Sequence, residues 1–209
     1  MKLKICGLRD KENIQAIMDV ATPDYAGFIF YEKSPRYIAD EAMQQLIDII
    51  PDSVNKVGVF VNEDLEVMEE KVERFQLDFL QLHGNEPAKL CETLRNKGYR
   101  VIKAFSLEKK FDFDLLLDYM PHVNFFLFDT KGESFGGNGY SFDWDILKSY
   151  DQKVPFFLSG GIGLHNIEEV KDYLDMNIHA LDVNSKFEVS PGQKNVPALQ
   201  ELKTIIKGF

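Results

Sequence analysis

The chain has 209 residues, 44% of them hydrophobic, with a formal net charge of −10 and an isoelectric point near 4.9. That length and apolar content are ample for a continuous core, which excludes disorder as the main character. The acidic balance argues against nucleic acid or an anionic membrane as partner, but a phosphorylated small molecule stays open because a pocket is governed by local dipoles.

The first ten residues, MKLKICGLRD, carry charges at positions 2, 4, 9 and 10 and no apolar stretch of signal-peptide length. No later window approaches a membrane span, so the expectation is a cytoplasmic protein. Cys6 and Cys91 give no disulfide framework, and His83, His122, His165 and His179 show no metal-ligand spacing, so no metal site is expected.

In chain order, eight short apolar runs read as strands: residues 3 to 6, 26 to 31, 56 to 61, 79 to 83, 101 to 105, 125 to 129, 155 to 160 and 180 to 184. Amphipathic segments between them predict helices over 11 to 20, 40 to 50, 64 to 75, 86 to 97, 112 to 119, 143 to 149, 165 to 174 and 197 to 207. Asp40 is placed to cap the second helix, Asn85 precedes a first turn containing Pro87, and Lys97-Gly98 has the glycine of a helix stop. Eight strand and helix pairs in regular alternation predict an α/β fold, a single-domain (β/α)8 TIM barrel over residues 1 to 209. An open doubly wound sheet is the alternative.

In a barrel, chemistry gathers at the strand C-terminal ends. The polar residues there are Cys6, the Ser34-Pro35-Arg36 loop, Gln81 and His83, Asp129, Ser159-Gly160-Gly161, and Asp182 with Asn184 and Ser185. Gly7 follows Cys6, where a small backbone lets a ligand approach. Asp129 ends a run of four apolar residues, Phe125 to Phe128; a buried carboxylate there is either neutralised, by capping the next turn through Thr130 and Lys131 or by pairing with an inward lysine, or used. Gln81 and His83 alternate with Phe79, so all three face inward, to line a pocket or to complete the barrel core. The glycines of LSGGIG, with a helix starting near His165, would leave backbone N–H groups facing a phosphate. Gly132, Gly136, Gly137 and Gly139 make GESFGGNGYSF a candidate cover over the pocket. Tyr140, Phe142 and Trp144 read as packing, and Cys91 as core or solvent-facing.

Seven segments, KICGL, GFIFYEKSPRYI, KVGVFVN, LQLHG, FDTKGESFGGNGYSFDW, LSGGI and LDVNSKFEVSPGQK, span nearly the whole chain. In their order and content they resemble the phosphoribosylanthranilate isomerase family of tryptophan biosynthesis. The resemblance implies an Amadori rearrangement of an aminoaldose, phosphoribosylanthranilate, to an aminoketose, without a cofactor; the expected state is a monomer or homodimer. It further implies Cys6 as general base and Asp129 as general acid, with Arg36 and Asp182 at the substrate; Gln81 and His83, from their strand position, join them as candidate substrate-binding residues. Gly160, Gly161, Asn184 and Ser185 would hold the phosphate. Lys186 and Asn195 depart from the family pattern at the last loop, Lys186 either adding charge or pointing to solvent. At ordinary pKa values Cys6 would be about 3% thiolate at pH 7 and Asp129 protonated in roughly one molecule in a thousand, so the site is expected to adjust both. Two alternatives are a catalytically inactive barrel binding a phosphorylated ligand, and the histidine-pathway isomerase. The latter resembles a duplicated half-barrel with aspartate in place of Cys6.

Overall fold

Strands buried on both faces read as short, nearly continuous apolar runs, which is why they stand out in this sequence. All eight form in the computed structural model, which describes residues 1–108, 110–130 and 144–209. They are β1 (Lys2–Cys6), β2 (Tyr25–Ile29), β3 (Asn55–Phe60), β4 (Phe79–Leu82), β5 (Val101–Leu107), β6 (Phe125–Thr130), β7 (Phe156–Ser159) and β8 (Ile178–Val183). Each pairs parallel with its successor, and β8 returns to β1 with Lys4 opposite Asp182, closing the barrel.

Five α-helices are present among the described residues: α1 (Lys11–Ala21), α2 (Asp40–Gln44), α3 (Leu65–Phe75), α4 (Ala88–Asn96) and α5 (Val196–Ile206). The predicted helix over 40 to 50 is shorter than expected and gives way to a 3₁₀ turn, Ile47–Ile49. β-branched Ile47, Ile49 and Ile50 are poor helix formers, and Pro51 disfavours helical geometry at the residue before it. The segments predicted as helices over 112 to 119 and 165 to 174, and the described part of 143 to 149, hold 3₁₀ turns instead: Phe113–Leu116, Ile167–Tyr173 and Trp144–Ser149. They are rich in Asp, aromatic and β-branched residues, which favour short turns over a long α-helix.

Capping is mixed. Asp10 caps α1, accepting from the Asn13 N–H at 2.8 Å, and Asn195 caps α5, accepting from the Ala198 N–H at 3.2 Å. Asp40 does not cap: it lies inside the first turn of α2 after Ala39, and its carboxylate takes Lys71 and Arg74 of α3, each at 2.7 Å. Pro87 is the cap residue before α4, not part of its first turn. Lys97 closes that helix, and Gly98, at φ +93, supplies the left-handed exit.

The core has two layers. Tyr25, Val57, Phe79, Ile102, Leu127 and Phe157 fill the barrel interior, while the alternate strand residues, such as Leu3, Phe28, Leu80 and Phe126, pack outward in a second cluster with the helices. After β8 the chain adds an antiparallel hairpin, β9 (Glu188–Ser190) and β10 (Gln193–Lys194), that was not legible as strand. It brings Glu188 and Lys194 to the barrel mouth. No described helix is long and apolar enough to cross a membrane.

Candidate active site

At the C-terminal ends of the strands lies a cavity of about 510 Å³. All ten residues nominated from sequence line it: Cys6, Arg36, Gln81, His83, Asp129, Gly160, Gly161, Asp182, Asn184 and Ser185. They arrive from six different strands because each sits at the end of its strand or in the loop that follows.

Cys6 ends β1 and is 5% exposed. Its strand partner is Gly27, where an added Cβ would stand 2.9 Å from the Cys6 Sγ, so only glycine leaves room for the thiol. Gly7 adopts φ +75, but what approaches it is protein: a Cβ there would meet Arg36 Cδ at 2.7 Å and Asn184 Oδ1 at 3.0 Å. The glycine therefore lets the site's own side chains pack closely against it.

Burial pushes the Cys6 thiol up from its ordinary value, and Asp182 adds to the rise; Lys4 and Lys194 pull against them. Lys4 is completely buried, two residues before Cys6 on β1, and its Nζ donates to Asp182 Oδ1 at 2.7 Å. The other Asp182 oxygen accepts from Ser159 Oγ at 3.0 Å. Asp182, 6% exposed, is thus held from two sides at the cavity floor.

Asp129, on β6, lies in register with Ser106 and Ser159. Contrary to the expected burial, its side chain keeps 27% of its surface, and His83 Nε2 stands 3.7 Å from Oδ2. Capping of the next turn through Thr130 and Lys131, and the cover over GESFGGNGYSF with Tyr140 and Phe142, fall outside the described residues or side chains. Trp144 is buried at 2%, with its ring edge to face against Tyr173.

Gln81 faces inward as its alternation with Phe79 predicts and is 1% exposed. Its Nε2 lies 2.8 Å from His83 Nδ1, and its Oε1 has no hydrogen-bond partner among the described residues. With the amide nitrogen donating, the imidazole accepts at Nδ1 and carries its proton on Nε2, the edge turned to Asp129.

The Arg36 fork is occupied. Glu188 takes Nε at 2.9 and 3.0 Å and Nη2 at 2.6 Å, leaving the remaining guanidinium N–H groups for anything in the cavity. Burial alone would raise the Glu188 carboxyl, but Arg36, Lys194 and the Gly192 N–H together hold it below its usual value. Lys194, 2% exposed, bridges Glu188 Oε1 and Asn184 Oδ1, each at 2.7 Å.

Gly160 and Gly161 take φ +88 and +67, the left-handed geometry only glycine enters freely. Nothing lies within 4 Å of where a Gly161 Cβ would project. The expected helix behind them is a seven-residue 3₁₀ segment, and the Gly163 N–H is already donated to Asn166 Oδ1 at 2.9 Å, so fewer backbone donors face the cavity than LSGGIG alone implies. Ser185 and Lys186 are exposed and line the same cavity, so Lys186 contributes a charge at its rim. The Asn195 side chain caps α5, as Asp would, while its backbone N–H donates to the Phe187 carbonyl of this loop at 2.8 Å.

Sequence reasoning missed Lys4, Glu188 and Lys194. A lysine inside the apolar run LKIC, in phase with Cys6, was a readable signal for the first; the other two depend on an unrecognised hairpin. Cys91 is core: fully buried, with its thiol pushed up to about 11. Among the described residues, no group of three His, Cys, Asp or Glu side chains could hold a metal ion.

Residues 3–204 match the family model for N-(5'-phosphoribosyl)anthranilate (PRA) isomerase. The chain is 43% identical over 201 residues to an N-(5'-phosphoribosyl)anthranilate isomerase from Parabacteroides distasonis, covering 96% of this chain and 90% of the relative. A relative of the same description from Phocaeicola vulgatus is 37% identical over 199 residues, covering 95% of this chain and 94% of that one. Among solved structures, phosphoribosyl anthranilate isomerase from Thermotoga maritima superposes with a TM-score of 0.88 at 33% identity, over 100% of both chains. A phosphoribosyl anthranilate isomerase in complex with reduced 1-(o-carboxyphenylamino)-1-deoxyribulose 5-phosphate superposes at 0.86, with 31% identity and both chains fully covered.

Proposed function

Since the chain belongs to the N-(5'-phosphoribosyl)anthranilate isomerase family, we propose that it performs the family's reaction with Cys6 as general base and Asp129 as general acid. The reaction is an aldose-ketose isomerisation in tryptophan biosynthesis, taking N-(5'-phosphoribosyl)anthranilate to 1-(o-carboxyphenylamino)-1-deoxyribulose 5-phosphate. The observation that carries the residue assignment is the convergence of both groups, from β1 and β6, on one cavity with candidate anion-binding groups around it.

Asp129 gives its proton to the ribose ring oxygen as the C1′–O bond opens, leaving a protonated Schiff base. The Cys6 thiolate then takes the C2′ proton. The C–H electron pair forms the C1′=C2′ bond, the imine pair returns to nitrogen, and the enolamine tautomerises to the ketone. No cofactor enters any step.

Arg36, oriented by Glu188, binds the anthranilate carboxylate through its remaining N–H groups. Gly160, Gly161, Asn184 and Ser185 hold the phosphate, with Lys186 adding charge; the open space at Gly161 supports this. His83 presents Nε2–H to Asp129 and Gln81 fixes that tautomer, while Asp182 closes the floor beneath the substrate. Residues 1 to 209 act as one isomerase domain in the cytoplasm. The Thermotoga maritima relative is dimeric; this chain acts as a monomer or homodimer.

Cys6→Ala tests the base. Its kcat is expected to fall by roughly 10² to 10⁴ with little change in KM, the usual worth of a positioned base. A folded variant keeping a third of wild-type kcat would remove Cys6 from the role.

A further inference from the structure

A fully buried ammonium in a barrel interior is costly unless something there uses its charge. Lys4 is such a group: 0% exposed, in the interior of β1, one inward position below Cys6. Its pairing with Asp182 neutralises it, but a pair of apolar residues would fill the same space at lower desolvation cost. A second buried ammonium, Lys194 on β10, is held by Glu188 and by Asn184, which itself lines the cavity.

We propose that Lys4, assisted by Lys194, is a positioning residue that makes the Cys6 thiolate attainable inside a buried site. The proposal rests on the reading of Cys6 as general base and adds what lets a buried thiol act as one. Burial disfavours the thiolate by removing its hydration; two fixed positive charges return part of that stabilisation without admitting water. Four charged groups interact with Cys6. Lys4 on β1 and Lys194 on β10 favour its charge, Asp182 on β8 opposes it, and Arg36, in the loop after β2, is itself raised by Cys6.

Asp182 then has a definite place. It fixes the Lys4 ammonium at 2.7 Å, and Ser159 draws its other oxygen aside, so the lysine stays charged and in position although the carboxylate opposes the thiolate. When the thiolate takes the C2′ proton, S–H forms, the C–H pair moves into the new double bond, and Lys4 keeps its own proton throughout. Lys4 touches no substrate atom and acts only through Cys6.

The test is the pH dependence of Cys6 alkylation by iodoacetamide in the free enzyme, with Cys6→Ala as blank; Cys91, pushed up to about 11, stays a thiol over most of the range. Lys4→Met is expected to slow alkylation at pH 8 by about tenfold and move the midpoint upward, the effect of removing a nearby opposite charge. Asp182→Asn is expected to move it downward. Lys194→Gln should move it upward by less than Lys4→Met, and it decides the matter if Lys4→Met does not fold. An unchanged midpoint in folded Lys4→Met, or in Lys194→Gln where that variant decides, would overturn the proposal and reduce the lysines to structural counter-ions. Because no substrate is present, that failure is distinct from a failure of Cys6 as base, which the kcat of Cys6→Ala reports.

Discussion

Arg36 and Glu188 show how a single side chain can be identified correctly and its circumstances missed. Arg36 lines the cavity as its loop position implies, yet its fork is closed by a carboxylate 152 residues away. Glu188 sits three residues beyond Ser185 in a stretch with no strand signal, so nothing local pointed to the pair. If Glu188 aims the guanidinium at the substrate carboxylate, Glu188→Gln should raise KM by about fivefold or more and hold kcat within about threefold, because charge-assisted bonds that set orientation are lost. Saturation curves on the two proteins check this. An unchanged KM in a folded variant would take Arg36 out of substrate binding.

Strands were the most legible elements and the short helical turns the least, for opposite physical reasons. A strand buried on both faces leaves an apolar run whatever its surroundings, whereas the 3₁₀ segments after β5, β6 and β7 depend on how tightly each crossover must close. The strand ends were legible too, since Cys6, His83, Asp129, Ser159 and Asn184 close or end their apolar runs and line the cavity. What could not be read was contact across strands, such as Gly27 against Cys6. Gly27→Ala would press a methyl 2.9 Å from the Cys6 Sγ and 3.0 Å from its Cα. We expect it to cost about 1–3 kcal/mol of stability and, through displacement of the thiol, about 10² in kcat. Gly58→Ala is the control on β3: its methyl would meet Leu77 at 2.6 Å on the outer face, so stability falls while kcat stays within about threefold. Equal catalytic losses in both variants would mean that barrel distortion, not the Cys6 contact, is responsible.

Across the whole barrel, chemistry sits at one end and stability at the other. His179 lies at the N-terminal end of β8, with its ring centroid 4.0 Å from that of Phe125 and its Nε2 2.6 Å from the Tyr25 hydroxyl. Burial, helped by Lys2, lowers its pKa to about 4. The folded state therefore resists a proton that the unfolded chain accepts near pH 6.5. Its contribution to stability is complete above that value and is lost as pH falls through the window toward 4. His179→Gln should melt lower at pH 7.5 but lose less melting temperature than wild type between pH 7 and 4.5; parallel losses would exclude His179 as a source of acid sensitivity. The cavity end bears the central claim, that one acid and one base on a single barrel isomerise phosphoribosylanthranilate. Asp129→Asn keeps the shape at β6 but cannot deliver a proton to the ring oxygen. The most direct measurement follows loss of anthranilate fluorescence from freshly made substrate, with wild type and Asp129→Asn at saturating concentration. Wild type should consume the substrate, with kcat for Asp129→Asn lower by at least about 10² and KM changed by less than about fivefold. A folded Asp129→Asn protein with kcat within a few-fold of wild type would contradict the account.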